Sequence, residues 1–282
     1  MRDRADGNRN DGTLHGTGLS TYRWVLERTI GCHMRSGLRK TFAVLDDSSR
    51  DPVAASDDES PGVRSVMQSK VIVVDDFYPD PDAIRALALQ SKFADINPVP
   101  IDHPGHASRL SIEASSLRPR FADLVGGEVR AGKAMLSWGG FRYITAESGS
   151  RARIHTDSRA NDWAAMVYLT PDPPMGVGTG FYRHKRTGLD TPPTDRQARA
   201  LGFCDASEFD IRVTSRDKAD PSKWELIDQV GPAYNRLVLF RGSELYHAPL
   251  GGCGDSPETA RLTHNFFFTV IPEPGTAAYP VP

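Results

Sequence analysis

Arg261-Leu-Thr-His-Asn-Phe-Phe-Phe-Thr-Val270 is dense in aromatic and β-branched residues and reads as a β-strand. Alternation puts the Arg261 guanidinium and the Thr263 hydroxyl on one face. His264 then points the other way, where a structural role is expected, and Phe266 to Phe268 read as core. Arginine carries a rigid donor fork that fits a carboxylate bidentately, which lysine does not match. Working outward, further strand patterns fall at 140–146, 151–156, 163–170, 180–184, 224–230, 236–240 and 245–248, with turn signals between them. About eight strands of this kind suit a closed barrel or a double-sheet jelly roll, mainly β with flanking helices.

Upstream of that strand lies Arg151-Ala-Arg-Ile-His-Thr-Asp157. If it is extended, His155 and Asp157 share a face, and an imidazole and a carboxylate can converge on one metal ion. His247, in Leu245-Tyr-His-Ala-Pro249, supplies a third ligand if the sheet folds back on itself. Two imidazoles and one carboxylate on one side of an ion leave other positions open, which is the ligand set of non-haem Fe(II) oxygenases.

Composition narrows the field. The 282 residues can bury a sizeable core, and 39% hydrophobic with 25% charged residues is ordinary for a globular chain. A net charge of -2 and a pI near 6.4 provide no general attraction to nucleic acid or anionic membrane, so neither is expected as a partner. No apolar run is long enough to span a bilayer and no charged-then-apolar leader opens the chain. Cys32, Cys204 and Cys253 are odd in number and widely spaced, which suggests neither a disulfide framework nor a zinc site. A reducing cytoplasm is the expected location.

Residues 1–66 read as a disordered or dispensable extension, with polar ends around a short amphipathic stretch at 22–30. Met67 precedes the first convincing strand, Val71 to Val74, and the globular domain is expected over 67–282. Asp80-Pro81 supplies an N-cap followed by proline at the first helical position, ahead of a helix to Gln90. A second helix is expected near 117–125, stopped by Gly126-Gly127. The segment 186–223 is long for a loop and carries a helical pattern near 195–201; it reads equally as a lid, a specificity element or a surface decoration.

The order His155-x-Asp157, then His247, then Arg261-x-Thr263 resembles the 2-oxoglutarate/Fe(II)-dependent dioxygenase superfamily over residues 70–272 or so. Within it the chain looks most like the prolyl-hydroxylase-like branch and a bacterial set of oxygenase-like proteins. The phrases Trp163-Ala-Ala-Met-Val-Tyr-Leu-Thr-Pro171 and Gly178-Thr-Gly-Phe-Tyr-Arg-His-Lys185 carry that likeness. The resemblance implies a double-stranded β-helix core of the jelly-roll or cupin kind. It implies Fe(II) on His155, Asp157 and His247, with 2-oxoglutarate as cosubstrate and O2 as oxidant. Arg261 would anchor the cosubstrate's far carboxylate with Thr263 beside it, and Tyr168 and Tyr143 take the places of pocket tyrosines. Two departures from the family pattern stand out. Thr170 replaces an asparagine, and the span from His247 to Arg261 holds Gly251-Gly-Cys-Gly254, so a loop must bulge there.

Asp157 retains the carboxylate ligand and leaves no vacancy for halide, which favours hydroxylation; desaturation or ring closure would use the same ligands. Arg183 and His184 are candidate substrate contacts; for His184 a cosubstrate contact, an alternative metal ligand and an ordinary hydrogen-bonded strand end are the other readings. His103 and His106 read as loop residues. Three functions remain open: hydroxylation of a small molecule or amino acid, free or carrier-bound, in a biosynthetic pathway; hydroxylation of a residue in a peptide; or a non-catalytic, metal-binding cupin-like protein. Arg261 argues against the last, since a storage or sugar-binding jelly roll has no need of it.

Overall fold

Asp80 caps the first helix as its position demands: its carboxylate accepts from the Ala83 N–H at 2.9 Å, and helix α1 runs Pro81–Gln90 with Ile84, Leu87 and Ala88 buried. A computed structural model describes residues 70–95, 104–134, 136–149 and 152–272. The expectations for 1–66, the stretch at 22–30 and His103 lie outside these residues. Helix α2, Arg118–Val125, ends where Gly126 turns left-handed at φ 74°, the conformation that favours glycine.

The fold is mainly β, with antiparallel strands in two sheets and helices against one of them. The larger sheet has eight strands, β1 (Val71–Val74), β2 (Phe93–Asp95), β3 (His106–Ser108), β4 (Gly127–Ala131), β5 (Trp138–Ile144), β6 (Trp163–Tyr168), β9 (Leu237–Phe240) and β11 (Arg261–Pro272). They run in the order β1-β9-β6-β11-β5-β3-β2, with β4 pairing the far end of β11. The smaller sheet has the order β10-β7-β8, from β7 (Thr179–His184), β8 (Trp224–Val230) and β10 (His247–Pro249). The expected strands appear within a few residues of their predicted ends, except one. The stretch from Ala152 to Thr156 is not a strand; His155 alone makes a single bridge, to His247. Strands β2, β3 and β4 were not anticipated, because such short runs take their identity from their pairing partners. His106 accordingly opens β3 and is not a loop residue.

Both faces of the larger sheet are covered, so β9 is apolar throughout (Leu-Val-Leu-Phe). Its outer face, with Val167, Leu237, Leu239, Leu262, Phe266 and Phe268, packs on α1 and α2 through Ile84, Leu87 and Phe121. Burying each of these side chains stabilises the fold by about 1.5–3 kcal/mol. Its inner face meets the smaller sheet through Ala164, Tyr168, Val238 and Phe240 on one side and Phe181 and Val230 on the other.

His264 lies on the outer face, fully buried, with Nδ1 2.8 Å from the Tyr78 hydroxyl. Burial depresses its pKa to about 3. Between that value and the unfolded one near 6.5 the unfolded chain holds the extra proton, so this residue's contribution to stability is intact above pH 6.5 and is lost as pH falls. Replacing both partners (Tyr78→Phe with His264→Leu) should flatten the dependence of unfolding free energy on pH between 6 and 4 by about one proton. Denaturant titrations across that range check it; an unchanged slope would refute the assignment.

The segment 186–223 is a packed unit. Helix α3 (Asp195–Ala200) has a Thr194/Gln197 capping box, α4 (Ala206–Phe209) is capped by Asp205, and Ala198, Ala206, Phe209 and Val213 form their own small core. The segment is tied to the sheet by a 2.8 Å contact from His184 Nε2 to Asp217, and by a 3.0 Å hydrogen bond from the Trp224 indole to the Asp217 carbonyl.

Candidate functional site

His155 and His247 stand side by side because their backbones pair: the N–H of His155 donates to the His247 carbonyl at 3.1 Å, and that of His247 to the His155 carbonyl at 2.8 Å. Two further backbone bonds hold the loop, from Ile154 N–H to the Lys218 carbonyl at 2.9 Å and from Asp157 N–H to the Gly242 carbonyl at 2.8 Å. The rings lie 4.5 Å apart between centroids. Nε2 of His155 is 3.8 Å from one Asp157 oxygen, and Nε2 of His247 is 3.7 Å from the other. One candidate ligand atom from each of the three residues lies within 4.8 Å of the others, close enough to share a metal ion.

The second nitrogen of each ring decides its orientation. Nδ1 of His155 is 2.8 Å from the Arg153 carbonyl and Nδ1 of His247 is 2.9 Å from the Leu245 carbonyl. A carbonyl only accepts, so each Nδ1 carries the hydrogen and each Nε2 turns its lone pair toward Asp157. Burial, reinforced by the neighbouring His247 ring, pushes the His155 pKa down to about 4, so this imidazole is neutral at physiological pH, as a ligand must be. Gly242 leaves room for the carboxylate: a Cβ built there would sit 2.1 Å from an Asp157 oxygen. Glycine is therefore required for close approach, and nothing in the isolated sequence marks it.

These three residues line one end of a cavity between the sheets that encloses about 560 Å3, its open mouth included. Arg261 and Thr263 line it too, on the face that alternation assigned them. Arg261 is buried: its Nε donates to the Val177 carbonyl at 2.6 Å, and its Nη2 lies 3.3 Å from both the Tyr168 and Thr179 hydroxyls. Tyr168 sits under the guanidinium, its hydroxyl 2.8 Å from that of Thr179, and so positions Arg261. Among the described residues no carboxylate forms an ion pair with Arg261.

Thr170 and the 251–254 span, the two places where the sequence resemblance breaks, are each fixed by hydrogen bonds. The Thr170 hydroxyl donates to the Ala260 carbonyl and accepts from the Leu262 N–H, each at 2.8 Å, which pins the chain on either side of Arg261. The expected bulge folds against the end of β5, with the Ala146 N–H donating to the Gly254 carbonyl at 2.9 Å. Gly252 passes so close that a Cβ would meet the Thr145 carbonyl at 2.1 Å.

Three expected site residues are elsewhere. Tyr143 packs on the outer side of β5, stacked on His106 at 4.5 Å and edge-on to Phe93 at 4.8 Å. Its neighbours Arg142 and Ile144 line the cavity instead, and adjacent strand residues cannot both face inward. Neither Arg183 nor His184 lines the cavity. His184 is fully buried with both ring nitrogens engaged, by Asp217 and by Thr187, and it anchors the 186–223 segment. Arg183 lies 3.9 Å from Asp190 and 3.7 Å from Glu225. No residue of 186–223 lines the cavity; the segment braces the His155 loop through Lys218.

Arg142 escaped the sequence reading, because alternation along β5 says that there are two faces and not which of them is enclosed. It is cross-strand from Thr263, with its guanidinium 5.5 Å from the Phe267 ring centroid. Burial lowers its pKa, opposed by the attraction of the Asp157 carboxylate.

Residues 61–268 match a family described as a family of unknown function, DUF6445. No curated protein matches the chain. Among solved structures, HygX from Streptomyces hygroscopicus with nickel, 2-oxoglutarate and hygromycin B bound is similar at 11% identity and TM-score 0.36, over 74% of this chain and 87% of that one. The same protein without ligands is similar at 9% identity and TM-score 0.31, over 74% and 86%.

Proposed function

The chain belongs to the DUF6445 family, which brings no activity with it, so the function has to come from the site, and we propose that the protein is a 2-oxoglutarate- and Fe(II)-dependent oxygenase acting on a small molecule. The observation that supports this is the pairing of a His155/Asp157/His247 cluster with a buried arginine, Arg261, that no carboxylate among the described residues neutralises, on one cavity.

The donor set suits iron. Two imidazoles fixed through Nδ1 and one carboxylate are the ligands of non-haem Fe(II) sites, and the Gly242 cradle keeps the carboxylate between the rings. Iron bound there supplies the redox chemistry by which O2 oxidises a substrate C–H bond to an alcohol while 2-oxoglutarate gives succinate and carbon dioxide. Arg261 holds the distal carboxylate of 2-oxoglutarate, since its fork is aimed by Val177, Tyr168 and Thr179 before any ligand arrives. Thr263, on the same face, offers a hydroxyl beside it. Ala164, Phe240 and Phe267 add apolar surface to the lining, which limits water around the reacting groups.

Succinate release is the test. With Fe(II), 2-oxoglutarate and air, the protein should form succinate, faster in the presence of its substrate; amino acids, carrier-bound amino acids and peptides make the screen. Asp157→Ala should bring the rate to background. Failure of the wild-type, metal-loaded protein to bind 2-oxoglutarate would end this reading.

A further inference from the structure

Arg142 has no part in the site described so far, yet its guanidinium lines the same cavity. Among the described residues, the charged side chains in that lining are two arginines, 142 and 261, against the single carboxylate of Asp157. Among the described residues no carboxylate lies within ion-pair distance of Arg142, and its close contact is the Phe267 ring. The Asp157 charge is felt there only as a weaker attraction that burial outweighs. Arg142 is half-buried, and holding a guanidinium partly out of water without an ionic partner is costly, a cost that an anion offsets.

Resting on the reading above, we propose that Arg142 is the specificity-determining residue of this site and that the substrate carries a carboxylate which pairs with it. The charge balance selects a monoanion. A divalent metal and the 2-oxoglutarate dianion cancel each other, and Asp157 cancels one arginine, so one positive charge is left over. The planar fork of Arg142 accepts a carboxylate through two parallel hydrogen bonds. Its place on β5, opposite Thr263 and within electrostatic reach of Asp157, puts that carboxylate beside both the metal cluster and the cosubstrate pocket. Free small acids, amino acids included, fit this description. Amino acids whose carboxyl is consumed in a carrier thioester or peptide bond do not.

The full chain loaded with Zn(II) is mixed with saturating 2-oxoglutarate and a panel of amino acids and simple monocarboxylates, each paired with its primary amide. Thermal unfolding reports binding, and calorimetry gives affinities for the acids that shift it. At least one acid should raise the melting temperature while its amide does not. Arg142→Met should weaken that acid about tenfold or more, Arg142→Lys should recover part of the loss, and the affinity for 2-oxoglutarate should hold within about twofold. The proposal is overturned if amides bind as well as acids, if no acid binds, or if Arg142→Met binds the acid as wild type does. Parallel loss of 2-oxoglutarate in Arg142→Met also overturns it, since Arg142 would then belong to the cosubstrate. Near-UV circular dichroism confirms that each variant is folded, and Arg142→Lys carries the comparison if Arg142→Met is not. The acid and amide pairs are also run with Zn(II) alone, so that failure of 2-oxoglutarate to bind, which counts against the oxygenase reading, is seen separately from failure of acid discrimination.

Discussion

Arg261→Leu protein, titrated anaerobically with 2-oxoglutarate, should bind it about a hundredfold or more weakly than wild type while its affinity for Fe(II) stays nearly intact. Leucine fills much of the volume but removes the cation expected to hold the distal carboxylate. Breaking one half of a buried charged pair costs about 3–5 kcal/mol, and each 1.4 kcal/mol is about tenfold in affinity. The proposed metal ligands should be spared, because the Arg261 fork is held by Val177, Tyr168 and Thr179. Those three groups lose a donor in the variant, so some loss of melting temperature accompanies the change without explaining a selective loss of cosubstrate. Wild-type affinity for 2-oxoglutarate would remove the main support for the oxygenase reading.

Gly242→Ala should lower metal affinity by about 10–100-fold, the range seen when the groups orienting a ligand are disturbed, with little change in thermal stability of the metal-free protein. The added methyl would meet an Asp157 oxygen at 2.1 Å and its Cγ at 3.0 Å, so one of them has to move. The atom in the way is the end of a side chain, and it can swing aside cheaply; in doing so the carboxylate leaves the position between the two imidazoles. Gly242 has no positive φ, so alanine adds no backbone strain. Calorimetric titration with Zn(II), alongside Asp157→Ala as a reference, measures the effect. Unchanged affinity would mean that Asp157 is not held where the structure places it.

Much of this molecule is legible in its residues. The alternation of β11 sends Arg261 and Thr263 inward and His264 outward, and both assignments hold because a strand that pairs on both sides cannot slip by one residue without turning every side chain over. The Asp80 cap, Pro81 and the left-handed Gly126 mark helix ends by local rules that need no tertiary context. The His155-x-Asp157 spacing pointed to residues that do come together with His247, but by another route. His155 and Asp157 converge not through strand alternation but because the loop is fastened by backbone hydrogen bonds to three separate segments, at Lys218, His247 and Gly242.

The sequence by itself determined the periodic strands and the helix caps, since these depend on neighbours a few positions apart, and it offered His155, Asp157, His247 and Arg261 as candidates. Tertiary structure alone decided which side of β5 faces the cavity, and so replaced Tyr143 by Arg142; it also committed His184 to Asp217 and demanded a glycine at 242. Each of those outcomes depends on a partner far away in the chain. Local periodicity can say that two faces exist, but which face is enclosed depends on what packs against it.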